Sequence, residues 1–337
     1  MTKAPLPARM RVVEISRHGP PDVLEPATRP LPRPGPHDVL IRVAAAGVNR
    51  PDCLQRRGLY PPPAGESDLP GLEISGTVVT LGEKVSKLRY GDKVCALLAG
   101  GGYAEYCVAP ASQCLPLPMN MDMEHAAALP EAMFTVWSNL FDRAQLEADQ
   151  TVLIHGGASG IGTTAIQMAT AFGARVFATV GTNEKRSLAE RLGAERAINY
   201  HDESYLEVVQ KLTDRRGVDV ILDIVGAKYF HDNLELLAPD GRLVVIGVLG
   251  GSRVDELDLG RLLTRRLTIT GSTLRARDRE TKSNIAASLR EWVWPMLDAG
   301  DIAPVIQAAL PLEEAAQAHR MLEANEAMGK LVLTTGQ

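Results

Sequence analysis

The stretch Thr151-Val152-Leu153-Ile154-His155-Gly156-Gly157-Ala158-Ser159-Gly160-Ile161-Gly162 reads as a buried strand that runs into glycines and then into a helix ending near Phe172. Glycines let the main chain approach a pyrophosphate, and the N-terminus of the helix behind them presents free N–H groups and a partial positive charge. The expected phosphate cradle is Gly157, Ala158, Ser159, Gly160, Ile161 and Gly162. Glycine turns between a strand and a helix also arise for packing alone, so the decision rests on the residues C-terminal to the loop.

Those residues alternate regularly. Strand candidates at 151–155, 175–180, 196–198, 218–223, 242–246 and 267–270 are separated by helical stretches such as 184–192 and 229–237. Gly173 and Gly193 stand where a helix C-terminus needs a left-handed residue. Short βα units of this kind build a parallel sheet, and six strands match a dinucleotide (Rossmann) fold. The fold class is therefore α/β. An NAD enzyme places Asp or Glu at the end of the second strand to hold the ribose 2′-hydroxyl, whereas this chain has Val180 and Gly181 there. The next acid, Glu184, belongs to the following helix, and Lys185 and Arg186 beside it suit a 2′-phosphate. A charged hydrogen bond of that sort is worth about 1.5–3 kcal/mol, so NADP(H) is the expected cofactor; the competing reading makes Lys185 and Arg186 an ordinary solvated helix face. Tyr200, after the third strand, and Gly247, after the fifth, complete this part of the expected cofactor set.

The chain has 337 residues, 45% of them hydrophobic, and single cores stop growing near about 250–300 residues, so two domains are expected. The formal charge of -5 argues against a nucleic-acid or anionic-membrane partner, which would need a basic excess. No apolar run approaches the roughly 18 residues of a membrane helix. Residues 1–9 carry Pro and basic side chains without an apolar segment and read as a loose leader, not a signal peptide; a cytoplasmic protein is expected. Cys53, Cys95, Cys107 and Cys114 are too few for a disulfide framework and are expected to be buried free thiols. The first third, rich in Pro, Gly and short β-branched runs such as 38–43 and 76–79, suggests a small, mainly β domain. Near Met123 the texture turns Ala-rich and helical, through 124–129 and 131–143. After Ser272 come a helical tail at 284–298, an Ala-rich helix around 313–324, and a closing strand at 329–334. That last strand has no partner in the parallel sheet, so the chain is expected to return to its first domain.

The segments Ala46-Gly47-Val48-Asn49-Arg50-Pro51-Asp52, Arg57-Gly58-Leu59-Tyr60-Pro61, Gly71-Leu72-Glu73-Ile74-Ser75-Gly76, Tyr90-Gly91-Asp92-Lys93-Val94 and Ala128-Leu129-Pro130-Glu131-Ala132 stand in order along the chain. The glycine loop, Ile198-Asn199-Tyr200, Gly271-Ser272-Thr273-Leu274-Arg275, Glu323-Ala324-Asn325 and Gly329-Lys330 come after them. Together they resemble the medium-chain dehydrogenase/reductases, and within them the zinc-free quinone oxidoreductase branch, the zeta-crystallin-like enzymes. The resemblance implies a GroES-like, mainly β catalytic domain made of residues 1–133 and 273–337, with an NADP(H)-binding Rossmann domain at 134–272. It further implies that the nicotinamide lies between the domains, facing Asn49, Tyr60, Thr135 and Asn325, with Leu274 among the cofactor contacts and Asn49 and Tyr60 as the catalytic pair. Three of these have a plainer reading: Asn49 as an Asx-turn residue before Arg50-Pro51, Tyr60 as the cap of an exposed loop, Thr135 as an ordinary helix residue.

Zinc alcohol dehydrogenases of the same superfamily carry a Cys near the position of Asn49, a His-Glu pair and a lobe of four close cysteines. This sequence has Leu72 for the His, keeps Glu73, and spaces Cys95, Cys107 and Cys114 widely; no metal is expected, because a catalytic zinc needs three soft or imidazole ligands. Without a metal to hold an alkoxide, reduction of an already electrophilic acceptor such as a quinone fits better, with hydroxyl, amide or water donors holding the developing oxyanion. Three alternatives stand beside this reading. One is an enone or enal double-bond reductase, and another a non-catalytic NADPH-binding structural protein. The third, a short-chain dehydrogenase, lacks its Tyr three residues before a Lys after the loop. His155, beside the loop, reads as a structural residue. The strand at 267–270 would end a sheet with unpaired backbone groups, so a homodimer pairing those edges is expected.

Overall fold

The computed structural model describes residues 5–336; of the expected leader, residues 1–4 lie outside the described residues. The chain divides into two compact units, one running up to Phe134 and resuming at Arg275, the other Thr135–Leu274. Among the described residues no helix is long and apolar enough to cross a membrane.

The first unit begins with β1 (Arg9–Ile15) and β2 (Leu24–Pro30), an antiparallel pair. It continues with β3 (Asp38–Val48), β4 (Glu73–Leu81), β5 (Lys93–Leu97), β6 (Tyr106–Pro110) and β7 (Cys114–Pro116). These strands are rich in β-branched residues and bounded by turns, the pattern that a half-buried sheet selects. The helix Arg50–Arg56 leaves directly from the end of β3.

The second unit is a six-stranded parallel sheet of β8 (Thr151–His155), β9 (Arg175–Val180), β10 (Arg196–Asn199), β11 (Val218–Asp223), β12 (Leu237–Val245) and β13 (Thr268–Gly271). Its order is β10-β9-β8-β11-β12-β13, the doubly wound arrangement of a Rossmann domain. Every residue of β8 and β11 is buried, as parallel strands covered on both faces require. Leu153, Phe177, Ile198, Ile221 and Leu243 share one core cluster, each worth about 1.5–3 kcal/mol of burial. All six expected strands are present. β12 starts earlier than the expected 242, because Leu237 already pairs with Val218 before the register shifts to Val220 opposite Arg242.

Two long helices expected from sequence contain wide turns. The stretch 131–143 is a helix Pro130–Val136 followed by a π-helical segment Trp137–Arg143. There the Asn139 side chain donates to the Thr135 carbonyl at 2.7 Å and competes with the regular ladder. The tail starts at Arg279, where Asp278 caps the helix by accepting from Thr281 N–H, and passes through a π turn, Leu289–Val293, into Trp294–Ala299. Pro295 explains the break, since it has no N–H to donate into the ladder.

The chain then returns to its first unit. β14 (Ile306–Pro311) lies parallel to β15 (Lys330–Thr334), and β15 pairs antiparallel with β3, Leu331 opposite Val48. The order β14-β15-β3-β4-β5-β7 sets the C-terminal end of β3 beside the first residues of β4 and β15. Asn49, Glu73 and Lys330 therefore meet at the ends of three adjacent strands of one sheet.

Candidate functional site

In the second unit, β8 delivers the glycine loop to the start of the helix Gly160–Ala171. Gly157 N–H donates to the Thr179 carbonyl at 2.9 Å, which ties the loop to β9. Ser159 caps the helix, its Oγ accepting from Gly162 N–H at 3.0 Å, and Thr163 N–H donates to the Ser159 carbonyl. The amides of Gly160 and Ile161 have no such partner among the described residues, leaving them to an anion at the positive end of the helix. A β-carbon on Gly162 would strike the Gly156 carbonyl oxygen, so the loop closes only because that position is bare. These residues fit a dinucleotide diphosphate.

Tyr200 N–H donates to the Val180 carbonyl at 3.1 Å, and its hydroxyl lies over Gly181, where an added β-carbon would stand 2.7 Å from Oη. Thr182 caps the helix Asn183–Arg191 by accepting from Lys185 N–H. Lys185 and Arg186 are half-buried, whereas Glu184 is exposed and accepts from the Thr182 hydroxyl at 3.3 Å. Gly247 is half-buried just beyond β12, Leu274 is buried, and Thr135 is half-buried with its carbonyl held by Asn139. Asn139 in turn accepts from the Ser272 hydroxyl at 2.6 Å. His155 is a structural residue, as its sequence context suggests: its ring nitrogens bond Thr179 Oγ1 and Asn233 Oδ1.

In the first unit, a fully buried carboxylate organises the site. Glu73 Oε1 accepts from Asn49 Nδ2 at 2.8 Å and from Lys330 Nζ at 2.5 Å, while Oε2 accepts from Glu131 N–H at 2.9 Å. Lys330 Nζ also donates to Asn49 Oδ1, so the neighbours dictate which way the amide points. Gly47 on β3 is bare because a β-carbon there would collide with Glu73 Oε1. Asn49 stands at the N-cap of the helix Arg50–Arg56, but its side chain serves this cluster; the helix start is held instead by Asp52 Oδ2, which accepts from Asn49 N–H at 2.8 Å. Both ends of the Asn49 amide are engaged, and one Nδ2 hydrogen remains.

Tyr60 is half-buried beneath the Arg275 guanidinium, 5.5 Å from its ring centroid, and its carbonyl accepts from the same arginine. Burial first, then the Glu131 charge, hold the Tyr60 hydroxyl above its ordinary value. Asn325, exposed and left-handed at φ 57°, accepts from Arg50 at 2.9 Å. Glu131, Lys330 and Arg275 lie within the sequence segments that carry the family resemblance, yet no local pattern assigns them a task. Glu131 reads there as an ordinary first-turn acid, and Lys330 as the polar start of the closing strand.

Behind the cluster runs a buried chain of hydrogen bonds. Arg56, 1% exposed, donates to His319 Nδ1 at 3.2 Å, and His319 Nε2 meets Tyr103 Oη at 3.0 Å. Since arginine only donates, Nδ1 must accept and Nε2 carries the proton. The Tyr103 hydroxyl then points to Asp52 Oδ2, the carboxylate that holds the Asn49 amide. Burial pushes Asp52 up to about 6, against the amides of Gly71 and Asn49.

Residues 160–290 match the zinc-binding dehydrogenase family and residues 35–119 the alcohol dehydrogenase GroES-like domain, which bears out the GroES-like fold expected of the first unit. The chain is 32% identical to a quinone oxidoreductase of Rattus norvegicus, over 96% of this chain and 97% of that one. It superposes with a TM-score of 0.83 on the crystal structure of Escherichia coli quinone oxidoreductase complexed with NADPH, at 29% identity, covering 97% and 99% of the two chains. An NAD-dependent alcohol dehydrogenase gives a TM-score of 0.85 at 32% identity, with 97% and 100% covered. The donor set does not fit the zinc that the first family description implies. Leu72 is aliphatic, Glu73 is already bound to an ammonium and two N–H donors, and burial pushes the Cys53 thiol up to about 12, far from the thiolate a zinc ligand must be.

Proposed function

This chain belongs to the medium-chain dehydrogenase/reductase superfamily, alongside the quinone oxidoreductases, and on that premise we propose that it is a cytoplasmic NADPH:quinone oxidoreductase that works without zinc. The observation that carries the reading is the ammonium of Lys330 lodged between Glu73 and Asn49: the place holds its own cation, so the chemistry suited to it is reduction of an acceptor that needs no Lewis acid. Bound NADPH supplies the hydride. The loop Gly157–Gly162 holds the diphosphate through the amides of Gly160 and Ile161; Gly181, Lys185 and Tyr200 take the adenosine end; Thr135, Gly247, Leu274 and Asn325 complete the cofactor contacts. Tyr60 Oη and the remaining Nδ2 hydrogen of Asn49 donate to the acceptor oxygen as its charge develops.

The test follows nicotinamide absorbance with NADPH and NADH against several quinones and an enone. Quinone turnover with NADPH preferred supports the reading. Turnover confined to the enone makes the chain a double-bond reductase, and tight NADPH binding without oxidation by any acceptor makes it a binding protein. Lys185→Ala should weaken NADPH by about ten- to a hundredfold and leave NADH nearly unchanged; equal losses would refute the 2′-phosphate contact. The half-exposed edge of β13 supports a homodimer pairing two such strands, and a monomer in light scattering at micromolar concentration would refute it.

A further inference from the structure

One buried acid in the first unit has no assigned task. Glu131 stands in the first turn of the helix Pro130–Val136 and is 8% exposed. Its backbone N–H is bonded to Glu73, yet among the described residues its carboxyl has no hydrogen-bond partner. The charges around it are otherwise matched or tied. Glu73, at the start of β4, holds Lys330 of β15; Asp52, in the helix Arg50–Arg56, takes the amides of Asn49 and Gly71. Lys282, in the helix Arg279–Ser288, is spent on the Arg275 carbonyl, and Arg275 on Ala99, Tyr60 and Gln55. An ionised Glu131 would thus be a buried charge beside another carboxylate that the Lys330 and Lys282 ammoniums offset only in part, an expensive arrangement that a carboxyl avoids by keeping its proton.

We propose that the Glu131 carboxyl is the acid that protonates the reduced acceptor, a role that rests on the quinone-reductase reading above. When the quinone has taken up two electrons and one hydrogen, one of its oxygens is left as an anion. The Glu131 O–H bond breaks, an O–H bond forms on that oxygen to give the hydroquinone, and the Glu131 carboxylate recovers a proton from water through its small exposed face. Burial, with the Glu73 charge second and Lys330 opposing, pushes Glu131 up to about 8. That suits proton transfer near neutral pH, where an effective acid matches its surroundings. The Tyr60 hydroxyl, held above a value already near 10, is the weaker acid of the two.

The test has one arm without cofactor. In an infrared pH titration of the full chain, the wild type should show a protonated-carboxyl C=O band that fades as pH rises through about 8, and E131Q should lack it. In the second arm, kcat with NADPH and a soluble quinone should fall through the same pH range in the wild type. E131Q should lose that limb, with kcat down about a hundredfold and NADPH binding unchanged, and E131D should restore part of the rate. Y60F should keep the limb. The proposal is overturned if E131Q retains the fading band, if it keeps the wild-type kcat and limb, or if Y60F alone abolishes the limb. A wild type that turns over no quinone while showing the band removes the reductase reading, and this proposal with it.

Discussion

Lys330→Met removes the cation paired with Glu73, whose side chain is 0% exposed, from a position where the lysine side chain is itself only 5% exposed. The attraction between such a pair is largely offset by the loss of hydration, so the pair adds little net stability. Breaking it is another matter, because the surviving charge has neither water nor partner; truncating one member of a buried pair costs about 3–5 kcal/mol. For a domain of this size that is a fall in Tm of about 6–20 °C. Glu73→Gln should cost a comparable amount by stranding the ammonium. The double variant K330M/E73Q removes both charges, and its amide oxygen still accepts one of the N–H groups that Glu73 holds, so it should be no worse than either single change. Urea unfolding of the four proteins, followed by circular dichroism, gives the cycle: the singles should overstate the double by at least about 2 kcal/mol. Strict additivity, or a K330M protein within about 0.5 kcal/mol of wild type, would show that the ammonium and carboxylate do not depend on one another.

His319 is neutral in the fold, because burial first and the Arg56 charge second push it down to about 3, against about 6.5 when unfolded. Its contribution is therefore complete above about pH 6.5 and falls by about 1.4 kcal/mol per pH unit as acid is added toward 3. H319Q should lose that slope in urea unfolding between about pH 6 and 5, and equal slopes for the two proteins would contradict the neutral assignment. Gly162→Ala should cost about 1–3 kcal/mol of stability, since its β-carbon meets backbone and not a yielding side chain. It should also lose at least about tenfold in nicotinamide affinity by fluorescence titration; undiminished binding would mean that the loop is not the diphosphate cradle.

The features legible in the sequence are those whose cause is local. A glycine loop between a buried strand and a helix, repeated βα spacing and C-terminal caps such as Gly173, left-handed at φ 82°, all act within a few residues, and the second unit follows from them almost strand for strand. The cluster in the first unit has no local cause. Lys330 lies 257 residues from Glu73 and 281 from Asn49, and only the return of β15 to the edge of β3 makes them neighbours. The same long closure turns Glu131 from a helix-start acid into a carboxyl beside a carboxylate, and His319 from one polar residue in an Ala-rich helix into the middle of a buried chain ending at Asp52. Asn49 shows the consequence for chemistry. Its motif suggests an amide offered to a ligand, but an amide clamped at one end by an ammonium and at the other by a carboxylate offers one hydrogen in one direction. A donor fixed in this way needs no reorganisation as charge develops on an oxygen in front of it. The distant lysine that sequence reading passes over is thus what makes the asparagine useful.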